Sequence, residues 1–126
     1  ARPETCKVGC FANAKGNPDC VEFVRQTLDA PPTLSWTEGA KITKLEKNHA
    51  DPVARGTAIA TFVKGRYPQQ GITGMHAAIY MGQDAQGIQV LDQWKAQGQV
   101  LSRTIPWHPR RPGLSNDGKA FSVIEW

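Results

Sequence analysis

Five short runs rich in β-branched and aromatic residues fill the chain from residue 57 onward: TAIATFV, MHAAIYMG, GIQVLDQW, QVLSRTI and AFSVIEW, separated by glycine and polar turn residues. Runs of this composition suit a pleated, half-buried surface and are too short for helices, so they predict five strands. QDAQG and KAQG are hairpin-length connections, which favours antiparallel pairing, and GRYPQQGITG reads as a longer crossing loop. Ahead of these runs, Val21, Val24 and Leu28 recur at spacings of three and four until DAPP stops the pattern. That spacing predicts one helix over about residues 20 to 29, with Asn17 or Asp19 placed to cap it. Between helix and strands, TLSWTEGAKITKLEKNHADPVARG carries apolar residues too sparsely for a long helix and reads as loop with short helical pieces. The plan is α+β, with the helix packed on one face of an antiparallel sheet of about five strands.

A chain of 126 residues, 40% hydrophobic and 21% charged, suits one core, and residues 1–126 read as a single domain. No stretch approaches the roughly 18 apolar residues that span a bilayer, and ARPETCKVGC lacks the basic-then-apolar layout of a signal peptide, so membrane insertion is not expected. The start at Ala1 leaves export open. The net charge of +4 is mild, and the basic residues are dispersed apart from the loop PWHPRRPG. A solvated basic surface is the simplest reading. A nucleic-acid site using Arg110 and Arg111 is a weaker one, because no nucleic-acid motif accompanies them.

The three cysteines are an odd number, so at most two pair within the chain. Cys6 and Cys10, in CKVGC, form either a bridge closing a very small loop or two free thiols. Zinc is disfavoured, since CxxxC has no second pair at ligand spacing and His49, His76 and His108 are scattered. Cys20 stands apart at the start of the predicted helix. Unpaired backbone N–H groups and the positive end of the macrodipole favour a thiolate there. A lone helical cysteine is also a common packing residue, so a base must be found before chemistry is assigned.

His76 opens the strand HAAIYMG behind Gly71 and Gly74, where its ring sits at an end of the sheet. The alternative is a core histidine satisfied by a carbonyl. A hairpin turning around QDAQG brings the start of that strand beside the end of GIQVLDQW, and hence His76 beside Asp92. Period-two alternation sends Gln93 to the other face. A Cys-His pair works best when a third polar group orients the imidazole, and Asp92 is the candidate for that group. Cys20, His76 and Asp92 are therefore the candidate catalytic residues, with no cofactor required.

In order and spacing, DCVEFV, GTAIATF, HAAIYMG and VLDQW resemble the NlpC/P60 and CHAP cysteine peptidases and amidases, a papain-like superfamily acting on bacterial cell wall. The resemblance covers about residues 16 to 94. In size the chain is similar to the amidase effectors of type VI secretion systems, most of all their third family. The resemblance implies a peptidoglycan amidase or endopeptidase, secreted or delivered to the periplasm of a target bacterium. It implies cutting of the D-alanyl to meso-diaminopimelate cross-link, with the D-glutamyl to diaminopimelate bond as runner-up, and a cognate immunity protein that plugs the cleft. Oxyanion donors would be the Cys20 backbone N–H and a second group such as Asn17, with Asp19 directly before the nucleophile and Trp36 as a candidate groove residue. Tyr67, Trp94 and Trp107 are weaker groove candidates. A non-catalytic wall-binding or inhibitor domain on the same scaffold, and an acyltransferase using the same three residues, are the alternatives.

Overall fold

The computed structural model describes residues 20–46, 49–68, 75–93, 100–111 and 113–126. The Cys6 and Cys10 pairing, the capping by Asn17 or Asp19, and Trp94 lie outside them.

Helix α1 spans Cys20–Leu28 and buries Phe23 and Val24 completely. Each of these side chains contributes roughly 1.5–3 kcal/mol through the apolar area removed from water. Glu22 lies in the first turn, where a negative charge suits the helix dipole, and it pairs with Arg25 at 3.0 Å and accepts from Gln26 at 3.0 Å. At the far end Asp29 adopts a left-handed conformation with φ 55°, Ala30 N–H donates back to the Arg25 carbonyl, and Pro31 and Pro32 prevent continuation.

Six strands follow: β1 Thr37–Lys41, β2 Thr57–Thr61, β3 Ala77–Gln83, β4 Gly87–Asp92, β5 Leu101–Pro106 and β6 Phe121–Glu125. Five coincide with the runs read from the sequence. The sixth, β1, lies in the segment read as loop and short helical pieces, of which one 3-10 turn at Thr33–Ser35 is observed. TEGAK has no apolar alternation and stays half-buried or exposed throughout. It is a strand because β6 pairs with it, and because the Ser122 hydroxyl donates to Glu38 at 2.6 Å.

The sheet order is β1-β6-β2-β3-β4-β5, and every neighbouring pair is antiparallel. Strands β2 to β5 form a meander, and the chain then returns so that β6 sits between β1 and β2. The segment after β2 joins two neighbours and does not cross over, in contrast to the sequence expectation for GRYPQQGITG. In the β3–β4 turn, the Asp84 carboxylate accepts from the backbone N–H groups of Gln86 and Gly87. Gly87 is required there, since a Cβ would lie 2.1 Å from the Ile105 carbonyl oxygen.

Both faces of the sheet are covered, so β2 and β3 read as near-continuous apolar runs. On one face Phe23 and Val24 of α1 pack with Ala58, Ala60, Ala77 and Ile79. Three of those four strand residues are alanines, and their small side chains let the helix lie close to the sheet. The other face holds Ile59, Ala78, Tyr80, Ile88, Val90 and Phe121, closed over by Ile42 and Trp107. Trp36, a candidate groove residue on sequence, is 0% exposed. It meets Tyr67 edge-on at 5.2 Å, and its indole N–H donates to the Pro31 carbonyl. Trp36 is therefore a core residue. Tyr67 and Trp107 are buried as well. Among the described residues no helix is long and apolar enough to cross a membrane.

Candidate active site

Cys20 is the first residue of α1 and is half-buried, with its thiol free. The helix carries it because Phe23 and Val24, one turn on, anchor that end of α1 to the alanine-lined face of β2 and β3.

His76 immediately precedes β3 and continues its ladder. Its backbone N–H donates to the Thr61 hydroxyl at 3.1 Å, and its carbonyl accepts from the Thr61 N–H at 3.0 Å. The residue is only 4% exposed. Its ring stands perpendicular to Phe121 with centroids 6.3 Å apart. Across the hairpin, Ile79 pairs with Leu91, so the end of β4 lies beside the start of β3. There His76 Nε2 donates to Asp92 Oδ2 at 2.6 Å, and Asp92 is fully buried. The Cys20 side chain is hydrogen-bonded to His76. With Nε2 committed to Asp92, that bond falls to Nδ1.

Burial of His76 opposes its protonation. The hydrogen bond to Asp92, the hydrogen bond to Cys20 and the negative charge of both partners outweigh it, and together raise the imidazole from 6.5 to about 9. The ring is thus held as an imidazolium at neutral pH, bonded to the Cys20 sulfur on one side and to the carboxylate on the other.

The structure brings Cys20, His76 and Asp92 together, and adds a residue that the sequence reading did not single out. Arg103, on β5, donates from Nε to the same Asp92 Oδ2 at 2.6 Å. The β4–β5 register pairs Asp92 with Leu101 and Val90 with Arg103, so the guanidinium reaches diagonally along the sheet. The available signal was a charged residue inside the apolar strand run QVLSRTI, close in the hairpin to a carboxylate. Gln93, expected on the opposite face, is also completely buried. His49 and His108 are exposed. Among the described residues, no group of three His, Cys, Asp or Glu side chains is placed to hold a metal ion. Asn17 and Asp19, the oxyanion candidates, lie outside the described residues. A cavity of about 690 Å³ is lined by Lys44, His49, Asp51 and Gln83 and does not include His76.

Fold and geometry together define the papain-like class, in which a helix packed on an antiparallel sheet presents a thiol at its start to an imidazole at the start of a strand. Within that class, residues 3–124 match the family of domesticated amidase effector 2, and the chain belongs to this amidase effector family. It is 36% identical over 135 residues to the type VI secretion amidase effector 2 protein of Salmonella typhi, an alignment covering 91% of this chain and 97% of that protein. The solved structure of a type 6 secretion amidase effector 2 superimposes with a TM-score of 0.74 at 32% identity, covering 99% of this chain and 91% of the other. The type VI amidase effector resemblance is borne out. The numbered family is the second, where the sequence resemblance favoured the third.

Proposed function

We propose that the protein is an antibacterial cysteine amidase that cuts an amide bond in the stem peptides or cross-links of peptidoglycan. The observation that carries this reading is the buried His76 bonded at once to Cys20 and Asp92. Cys20 Sγ attacks the amide carbonyl as the thiolate partner of the imidazolium, which then gives its Nδ1 proton to the departing amine. His76 then takes a proton from water, which hydrolyses the thioester and frees the thiolate. Asp92 keeps Nε2 bonded through both steps, so the ring holds its orientation while its charge alternates. Oxyanion stabilisation falls to the Cys20 backbone N–H, which as a first-turn donor has no partner within the helix, with Asn17 as the second donor.

Membership of the amidase effector family supports this substrate, and the finer reading is our proposal. The bond cut is the D-alanyl to meso-diaminopimelate cross-link, with the D-glutamyl to diaminopimelate bond as runner-up. Delivery is to the periplasm of a target cell, and a cognate immunity protein occludes the cleft in the producer. Cys20→Ala and His76→Ala should each abolish release of soluble fragments from purified sacculi while leaving the circular dichroism spectrum unchanged. Full activity of either variant overturns the assignment, and mass spectrometry of the fragments identifies the bond.

A further inference from the structure

Pro106, Arg110 and Arg111, from the basic run read in the sequence, lie beside the site. A cleft of about 320 Å³ is lined by Met75, His76, Arg103, Arg111, Ser115 and Asn116. A second, of about 280 Å³, shares Arg103, Arg111 and Asn116 with it and adds Arg110 and Pro106. Adjoining through these three shared residues, the two clefts form a groove from His76 to Arg110 beside the end of β5. Among the described residues that line it are three arginines, whose charge adds to that of the His76 imidazolium, and there is no carboxylate. Arg110 and Arg111 are exposed and make no ion pair with any described residue. Arg103 differs: its Nε is engaged by Asp92, which fixes the guanidinium at the inner end of the groove.

The chemistry decides which part of the substrate this groove faces. The acyl portion stays on Cys20, and the amine portion leaves with a proton from His76. Cys20 does not line the groove, whereas His76 forms its inner wall. The groove is therefore on the leaving-amine side. Guanidinium forks match carboxylates in geometry and charge, and half-buried Ser115 and Asn116 add neutral hydrogen-bonding groups beside them.

We infer that this groove binds a carboxylate carried by the amine-side residue of the substrate, with Arg111 as its principal contact and a specificity-determining residue. The inference rests on the amidase reading, and its test separates the two. The substrates are a cross-linked muropeptide dimer in which the carbon bearing the scissile amide nitrogen also bears a free carboxylate, and the same dimer with that carboxylate amidated. The protein should prefer the free carboxylate by about tenfold in kcat/KM, as a partly solvated charge-assisted pair allows. Arg111→Gln should bring the ratio near unity, and Arg111→Glu should invert it. Because Arg111 is exposed, neither change should lower the melting temperature. The preference should also shrink as salt rises. Cleavage of both dimers at equal rates, or a preference kept by Arg111→Gln, overturns the carboxylate groove and leaves the amidase standing. Cleavage of neither dimer overturns both.

Discussion

Replacing Asp92 with asparagine separates two things that the carboxylate does for His76: holding the ring and stabilising its positive charge. Asparagine has nearly the same shape, and its carbonyl oxygen can still accept from Nε2 across the 2.6 Å now spanned to Oδ2. What disappears is the charge. His76 stands at about 9 in the fold against 6.5 in an unfolded chain, a difference worth about 3 kcal/mol in favour of the imidazolium. Because the folded value is the higher one, this stabilisation is fully present below pH 6.5 and is lost as pH rises through 9. In Asp92→Asn the burial of His76 continues to oppose its charge, with the Cys20 interactions still offsetting it. The alkaline limb of the rate of sacculus digestion should then fall by about 1–3 pH units, the effect of losing one opposite charge in contact. Two measurements check this. Initial rates from pH 5 to 10 locate the limb, and urea unfolding over the same range gives the stability difference between wild type and variant. That difference should shrink as pH rises through 9, since a neutral imidazole has no charge for Asp92 to stabilise. Superimposable alkaline limbs would refute the argument that Asp92 sustains the imidazolium.

Arg103→Gln leaves the carboxylate in place, so its alkaline limb should stay at or above that of wild type, opposite in sense to Asp92→Asn. The variant should lose about 1–3 kcal/mol in urea unfolding, because the buried Asp92 carboxylate loses the Arg103 donor. Phe23→Ala should cost about 3–5 kcal/mol in unfolding free energy by opening a cavity between α1 and the alanines of β2 and β3. Its residual activity at low temperature should fall more than that of a comparable core truncation at Ile88, because only Phe23 lies on the element that positions Cys20.

Much of this architecture was legible because it rests on local periodicity. The helix beginning at Cys20 follows from apolar spacings of three and four, and the five runs after residue 57 follow from composition and turn residues. His76 and Asp92 could be paired from sequence because a tight hairpin fixes its own register: once QDAQG is a turn, the start of one strand must face the end of the next. Strand β1 was not legible, because TEGAK has no alternating pattern and takes its conformation from β6, more than 80 residues away along the chain. The burial of Trp36 was equally hidden, since an indole suits a core and a groove alike and only its packing on Tyr67 chooses between them.

The sequence by itself determined which residues carry reactive groups and which short elements present them: a thiol at a helix start, an imidazole at a strand start, a carboxylate at the end of the adjoining strand. Tertiary structure decided what surrounds them. It placed β6 between β1 and β2, put Arg103 on the same Asp92 oxygen as His76, and folded Arg111 over the groove beside the imidazole. The division has a physical cause. Period and turn chemistry act over a few residues and are written locally, whereas the partner of an edge strand or a buried charge is chosen by global packing.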